Sequence, residues 1–175
     1  LRRAYVNNGG DIAIHLGKGE SFAIGLIDRP DRPSLFGKAK IAWDERSRGI
    51  ATSGWRGRSF SRGIADAVTV IAQTAAMADA AATMIANRVD LPGHPAITRE
   101  PASSIQPDSD LGELRVTRNV GSLAQHEITA ALVAGEIYAQ DLIARGLIHA
   151  AALHLQGMTR FAVNTKSEER LLAHA

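Results

Sequence analysis

One strand and the helix after it constrain the fold of this 175-residue chain most strongly. The stretch ADAVTVIA, at residues 65–72, has a Val-Thr-Val-Ile centre, which is typical of a buried strand. An alanine-rich segment follows from about Thr74 to Asn87 and indicates a helix. Because alanine side chains are small, we expect this helix to pack closely against its neighbours.

Several short strands precede this pair. The sequence predicts them at Ala4–Val6, Ile12–Leu16, Ser21–Ile27, Lys38–Trp43 and Gly49–Thr52. The stretch NNGGD favours a tight turn between the first two, because Asn and Gly accept a positive φ angle. RPDRP at residues 29–33 predicts a loop, since neither a helix nor a central strand tolerates two prolines.

The C-terminal half begins with an irregular stretch. Residues 91–113 contain four of the six prolines and predict a long connection, which in a compact domain is often functional. Ser122 is expected to cap the next helix and Gly146 to end it. The elements predicted after the connection are a strand at Leu114–Asn119, a helix from about Leu123 to Arg145, a hairpin of Ala151–Gln156 and Arg160–Asn164 around GMT, and a polar tail.

Strands are grouped before and after each helix, without the strict strand–helix alternation of a doubly wound fold. We therefore predict an α+β fold, a mainly antiparallel sheet with the alanine-rich helix and one long C-terminal helix. Residues 1–175 match the usual length of a single domain.

Composition excludes several function classes. The net charge is only +2, from 20 basic and 18 acidic residues, and aromatic residues make up 5%, so nucleic-acid binding is disfavoured. The absence of cysteine excludes disulfides, thiolate metal sites and a cysteine nucleophile. No apolar run is long enough to span a membrane and no signal peptide is visible, which favours a cytoplasmic location. The chain opens with LRRAYVNNGGDI, without methionine, and we expect an N-terminal portion that is missing or forms a companion chain.

Asp79 and Thr83 are the polar residues of the alanine-rich helix segment ADAAAT. They are four residues apart, so a helix places them on one face, one turn from each other. Two oxygen donors at this spacing suit a partly hydrated Mg²⁺ or Ca²⁺. The alternative is a solvated face, with the Thr83 hydroxyl bonded to its own helix backbone. Spacing alone favours the alternative.

The loop ATSGWRGRSFSRG, at residues 51–63, is a candidate phosphate-binding segment. It carries three glycines, four hydroxyl groups and the arginines Arg56, Arg58 and Arg62. Backbone N–H groups and guanidinium groups are suited to phosphate, whereas the alternative is an exposed hairpin with basic residues for solubility. The residues favour neither.

Two aspartates adjoin these segments. Asp11 follows Gly9 and Gly10, which form a tight turn or let a flat ligand approach the backbone; a turn alone is favoured. Asp66 precedes the buried strand, where a structural role is slightly favoured.

Four stretches in the same order, VNNGGDI, ATSG, VTVIA and ADAAAT, resemble the ApbE-like flavin-transferase superfamily over residues 4–90. The loop SGWRGRS, which runs into GIADAVTV, is similar to an uncharacterised branch of that superfamily. The resemblance implies Mg²⁺ bound by the side chains of Asp79 and Thr83 and the carbonyl of Ala82. In the transferases this metal bridges the FAD pyrophosphate, and FMN is transferred to a threonine of a target protein.

The same resemblance implies a flavin-nucleotide pocket. Its expected residues are Gly9, Gly10, Asp11, Ser53 and Gly54, with Arg56 or Arg58 on phosphate. The transferases also carry a His-Ile-x-Asp-Pro segment before the buried strand, which SFSRGIADAVTV lacks, with Phe60 near the place of the histidine.

Two alternatives to FMN transfer therefore stay open. One is a different small-molecule enzyme on the same scaffold. The other is a non-catalytic binding or assembly module, in which the alanine-rich helix packs at a subunit interface, compatible with a homodimer.

Overall fold

The computed structural model describes residues 1–27 and 35–164. Their strands and helices, in chain order, are β1 (Arg3–Asn8), β2 (Asp11–Leu16), β3 (Ser21–Ile27), β4 (Leu35–Ala42), β5 (Gly49–Ser53), β6 (Ala67–Ala72), α1 (Ala75–Arg88), β7 (Ile97–Pro101), α2 (Ala102–Ile105), β8 (Arg115–Val120), α3 (Gln125–Ala144), β9 (Ala150–Leu155) and β10 (Met158–Val163). The predicted α+β fold is confirmed. The predicted RPDRP loop and the polar tail from residue 165 lie outside the described residues.

Six strands form the main sheet, in the order β1-β2-β5-β6-β9-β10, and each pairs antiparallel with its neighbours. β6 occupies the middle and is buried at every residue but Ile71, because both of its faces are covered. On the side away from β5 its partner is β9, where Val70 pairs with Ala151. The centre of the sheet thus joins the first and last parts of the described chain.

The helices α1 and α3 cover one face of this sheet. α1 packs closely because its buried positions are mostly alanine, including Ala78, Ala82 and Ala86. The approach is close enough that a Cβ atom added at Gly49 of β5 would lie 2.0 Å from the carbonyl carbon of Thr74. The alanine-rich composition is therefore explained by the contact between α1 and the sheet.

Helix starts follow local hydrogen bonds. The Thr74 hydroxyl accepts the Met77 N–H at 3.2 Å, which confirms the predicted start of α1. The predicted cap of α3 is wrong, because the helix begins at Gln125 rather than after Ser122. The Glu127 carboxylate accepts the N–H of Ala124 at 2.7 Å and so takes the capping role that Ser122 was expected to have.

A two-stranded ribbon, β3–β4, covers the other face of the sheet. The apolar residues between ribbon and sheet form a second, smaller cluster, which comprises Ile12, Ile14, Leu16, Phe22, Ile24, Ile41, Ile50 and Ile71. The two apolar clusters lie on opposite faces of the sheet because successive side chains of a strand alternate in direction. Ile50 of β5 faces the smaller cluster, while Ala51 faces α1.

The prediction of an irregular connection at 91–113 is wrong in part. β7 and the short helix α2 lie within it, and β7 pairs antiparallel with β8. Pro101 stands at the end of β7, where the missing N–H is tolerated. The last hairpin also turns earlier than the predicted GMT, at Gln156 and Gly157, which have φ angles of 44° and 85°.

Candidate functional site

A cavity of about 520 Å³ lies between the main sheet and the β3–β4 ribbon. It is lined by Asn7, Gly9, Gly10, Ile12, Ile24, Gly25, Ile27, Ile50, Thr52, Ser53, Gly54, Gly57, Arg58, Asp66, Ala67 and Thr69. We call it the ribbon pocket. The β1–β2 turn and the loop after β5 thus meet here, and they bring together the predicted residues Gly9, Gly10, Ser53, Gly54 and Arg58.

The two glycines of the β1–β2 turn have a conformational reason to be glycine. Gly9 and Gly10 have φ angles of 69° and 130°, and the Asn7 side chain accepts the Gly10 N–H at 2.9 Å. A Cβ atom on Gly9 would also lie 3.1 Å from Nη1 of Arg58. The turn is therefore needed for the backbone and also leaves room for a guanidinium group.

The three loop arginines have different surroundings. Arg56 donates from Nε to the Asp66 carboxylate at 2.6 Å, and its guanidinium carbon lies 4.4 Å from the centre of the Trp55 ring. Arg58 is exposed, lines the ribbon pocket and makes no hydrogen bond or ion pair with another described residue. Arg62 lies outside this pocket. Of the two arginines predicted to contact phosphate, the structure therefore makes Arg58 available to a ligand.

Asp66 organises one wall of the pocket. Its side chain is only 8% exposed and accepts three hydrogen bonds: from the Trp55 indole at 3.1 Å, from Arg56 at 2.6 Å and from the Gln156 N–H at 2.6 Å. A buried carboxylate needs such donors, because otherwise its desolvation is not offset. Asp66 therefore fixes the glycine-rich loop to the β9–β10 turn.

The pocket also contains residues that the sequence did not single out. Thr52 and Thr69 pair across β5 and β6, with their hydroxyl oxygens 2.8 Å apart. Asn7 contributes its side-chain amide beside the turn. From the sequence, Thr69 was predicted only as part of a buried strand. Its side chain points to the opposite face of β6 from those of Val68 and Val70, and a hydroxyl at that position indicates that this face is partly polar.

Asp79 and Thr83 lie on the exposed face of α1, outside the ribbon pocket. α1 packs on the sheet face opposite the ribbon. Ala82 is fully buried in α1, where helical carbonyl groups accept the N–H groups four residues later. The contribution of the Ala82 carbonyl to a cation site stays a prediction.

Asp11 connects the pocket to this helix face. Asp11 and Ala13 are two residues apart in β2, so their side chains lie on the same face of the strand. Ala13 pairs with Gly49, which touches the start of α1, so Asp11 points to the α1 side of the sheet. Burial raises the pKa of the Asp11 carboxyl, and the nearby Asp79 carboxylate raises it further. The charge of Asp79 is thus close enough to act on Asp11, next to the turn that lines the pocket.

The donor chemistry at Asp79 and Thr83 fits a hard divalent cation. Neither side chain makes a hydrogen bond or ion pair with another described residue, whereas Thr129 in α3 donates to the Gln125 carbonyl at 2.9 Å. The backbone bond that the solvated-face alternative requires is therefore made at Thr129 and not at Thr83. Among residues 1–27 and 35–164 there is no group of three or more His, Asp or Glu side chains that could hold a metal ion.

Three of the described histidines, His94, His149 and His154, form hydrogen bonds within the fold. Ser47 and His149 form a hydrogen bond of 2.7 Å between Oγ and Nδ1, and burial lowers the pKa of His149. His94 bonds the Glu127 carboxylate at 2.9 Å. These contacts provide no metal-binding pair.

Comparison with known proteins identifies the family. Residues 1–161 match the family described as AbpE bacteria. The chain belongs to this family. The match extends over the ribbon pocket, α1 and the β7–β8 ribbon, so the AbpE bacteria family includes each of the regions described above.

A UPF0280 protein of Methanopyrus kandleri is similar over part of the chain. The two are 42% identical over 84 residues, which are 47% of this chain and 33% of that protein. The chain therefore spans about a third of the length of this curated relative. No helix among the described residues combines the length and apolarity that a membrane crossing requires.

Proposed function

We propose that this AbpE bacteria family member binds a flavin nucleotide, or a similar anionic heterocycle, in the ribbon pocket together with a divalent cation. The observation that carries the proposal is the pocket itself. Two glycine-containing segments predicted separately, the β1–β2 turn and the loop after β5, line one cavity of about 520 Å³. This volume is in the range of small-molecule sites, roughly 300–1,000 Å³.

The lining suits a flat ligand with a charged end. Ile12, Ile24 and Ile50 provide apolar surface for a ring system, while the hydroxyls of Thr52 and Thr69 lie on the same side of the sheet. Arg58 supplies a guanidinium group without a protein partner among the described residues, which suits a phosphate. Glycine at the turn lets such a ligand approach the backbone.

Asp79 and Thr83 are the residues that would hold Mg²⁺, with water or phosphate oxygens in the remaining positions. When bound, the cation supplies neutralisation of charge on phosphoryl oxygens. This chain's own contribution is to orient the nucleotide in the pocket and to present two oxygen donors on one helix face. Asp11 adds a second carboxylate, whose raised pKa reflects burial and the charge of Asp79.

The pocket and the Asp79–Thr83 pair lie on opposite sides of the sheet, and the β1–β2 turn joins them through Gly10 and Asp11. A dinucleotide such as FAD suits this arrangement, since its ring system and its pyrophosphate are separate groups. Transfer of FMN from FAD to a threonine acceptor is the reaction that the superfamily resemblance favours.

Binding is tested by titrating the protein with FAD and following FAD fluorescence, with and without Mg²⁺. Arg58→Gln is expected to weaken binding about tenfold or more, since a hydrogen bond to a charged group contributes about 1.5–3 kcal/mol. Arg46→Gln, at an exposed arginine outside the pocket, is the matched control. Equal affinity of both variants, or no FAD binding by the wild type, would contradict the proposal.

Transfer is tested by mass spectrometry of candidate acceptor proteins after incubation with FAD, Mg²⁺ and enzyme. A mass increase equal to one FMN residue is expected for an acceptor. Asp79→Asn should strongly reduce Mg²⁺-dependent transfer, whereas Asp108→Asn, at an exposed aspartate outside both sites, should not. Transfer that is unaffected by Asp79→Asn would eliminate the cation assignment.

A different small-molecule reaction on the same scaffold is the second candidate. It is favoured by the pairing of Arg56 with Asp66, which leaves Arg58 as the arginine of the ribbon pocket. Melting temperatures in a library of anionic heterocycles separate the two, because a true ligand raises the melting temperature and FAD would then give no shift. A homodimer, a companion chain and a non-catalytic assembly role stay predictions.

A further inference from the structure

A second cavity, of about 730 Å³, lies beside Arg62 at the end of the glycine-rich loop. It is formed by the C-terminal half of α1, the loop at residues 61–63 and the β7–β8 region. We call it the arginine groove, and it is lined by Arg62, Met84, Asn87, Arg88, Asp90, Arg99, Glu113, Leu114 and Arg115. It shares no residue with the ribbon pocket.

Positive charge in the groove exceeds what its own carboxylates neutralise. Asp90 pairs with Arg99, and Glu113 accepts the Ser103 hydroxyl at 2.6 Å instead of an arginine. The other three groove arginines, Arg62, Arg88 and Arg115, have no carboxylate partner among the described residues. Guanidinium groups stay charged at any physiological pH, so these three arginines give the groove positive charge that an anion can neutralise.

These arginines have identifiable but uncharged contacts. The Arg88 guanidinium carbon lies 5.2 Å from the centre of the Tyr138 ring, and Arg115 donates to the Arg99 carbonyl. The Arg62 side chain makes no described contact of this kind. All three side chains are exposed, so their charges are accessible from the groove.

Hydrogen bonds fix the walls of the groove relative to each other. The Asn87 side chain accepts the Arg62 N–H at 2.9 Å, which joins the loop to α1. On the other side, Thr117 donates its N–H to the Ser61 carbonyl at 2.8 Å, and Arg99 donates to the Arg62 carbonyl at 3.2 Å. A groove with fixed walls does not have to be ordered by its ligand, which lowers the cost of binding.

Apolar side chains flank the charged groups. Met84 is 51% exposed and Leu114 is 47% exposed, and both line the groove. The Met84 sulfur accepts a weak hydrogen bond from the Tyr138 hydroxyl at 3.7 Å, which holds it next to Arg88. Exposed apolar groups beside unpaired arginines suit a ligand that is anionic at one end and apolar at the other.

We propose that the arginine groove binds a small organic phosphate, with the phosphate on Arg62, Arg88 and Arg115 and the apolar part on Met84 and Leu114. Several guanidinium groups around one anion match the geometry of phosphate oxygens, which accept paired N–H bonds. The cavity volume is that of a small-molecule site. This site is separate from the ribbon pocket and does not depend on what binds there.

The test is isothermal titration of the 175-residue chain with 1-naphthyl phosphate and with inorganic phosphate, at low salt. Naphthyl phosphate is expected to bind more tightly, because inorganic phosphate lacks the apolar contact. Arg62→Gln and Arg115→Gln are each expected to weaken binding of naphthyl phosphate about tenfold, the loss of one charge-assisted hydrogen bond. Met84→Ala should reduce the advantage of naphthyl phosphate over inorganic phosphate.

Arg118→Gln is the matched control, since Arg118 lies in the same strand as Arg115, is exposed and does not line the groove. Its affinity should stay within about twofold of the wild type, which supports a specific site. Equal weakening by Arg118→Gln and Arg115→Gln would show a general charge effect and overturn the proposal. So would equal affinity for the two probes, or no binding at millimolar concentration. Thermal melting of each variant verifies that it is folded.

Discussion

Replacing Asp66 by alanine provides the sharpest test of how the ribbon pocket is built. The carboxylate is 8% exposed and accepts hydrogen bonds from Trp55, Arg56 and Gln156. Asp66→Ala leaves all three donors without their acceptor. The Arg56 side chain is 31% exposed and regains water, so its loss is discounted.

The magnitude follows from these three contacts. Breaking a buried ion pair costs about 3–5 kcal/mol, and each buried donor without an acceptor costs about 1–3 kcal/mol. With the discount for Arg56, we expect Asp66→Ala to lower the free energy of unfolding by about 3–4 kcal/mol. Asp66→Asn keeps one acceptor oxygen and is expected to lose about half as much.

The assay is urea denaturation followed by tryptophan fluorescence, to which Trp55 contributes directly. A slope of about 2 kcal/mol per molar urea converts the expected loss for Asp66→Ala into a midpoint decrease of about 1.5–2 M. Asp44→Ala, at an exposed aspartate without a described hydrogen bond, is the control and should change stability by less than about 0.5 kcal/mol. A loss for Asp66→Ala that is no greater than this control would refute the reasoning.

Three further predictions concern packing, capping and pH. Gly63→Ala should destabilise the fold by about 3 kcal/mol or more, because the new Cβ would lie 1.9 Å from a carbonyl oxygen of α1. In the same urea assay the control Gly121→Ala, whose new Cβ has its nearest contact at 3.4 Å, should cost under about 1 kcal/mol. Thr74→Ala should cost about 1 kcal/mol by removing the α1 cap, while Ser122→Ala should be neutral in thermal melting; equal losses would contradict the cap assignment. Partial burial lowers the pKa of His149, so the unfolded chain binds this proton more readily. Stability should therefore fall as the pH drops below 6.5, and urea midpoints at pH 7.5 and 5.5 should differ less for His149→Asn than for the wild type.

Elements with strong local signals were predictable from the sequence. The β6 strand has a β-branched centre, and the Thr74 side chain caps the start of α1 by its own hydrogen bond. The predicted strand and the predicted start of the helix therefore agree with the structure to within two residues. The β1–β2 turn was also predictable, because its two glycines take φ angles that other residues avoid. These signals act within a few residues along the chain.

Elements that depend on distant partners were not predictable in this way. β7 is stabilised by pairing with β8, and the prolines around it dominated the local pattern. Ser122 has the residue type of a cap, but the Glu127 carboxylate occupies that role. A single sequence does not show which of two local candidates reaches the helix N-terminus.

The candidate site was predictable in its parts but not in its arrangement. The sequence indicated Gly9, Ser53 and Arg58 separately, and the structure brings them into one pocket. It could not show that Arg56 pairs with Asp66, or that Asp79 lies on the other side of the sheet, because strand register decides both. The Mg²⁺ and FAD assignments and the superfamily resemblance stay predictions.

The pairing of β6 with β9 has a consequence for synthesis of the chain. β6 leaves the ribosome well before β9 because it comes earlier in the chain. Val70 therefore cannot pair with Ala151 until the later strand has been synthesised. Until then the most apolar strand of the sheet has an open edge, of the kind that pairs with other chains. A protein truncated before residue 150 would keep that edge permanently and should aggregate. The segment from α1 to α3 therefore determines how long a nascent molecule stays exposed to misassembly.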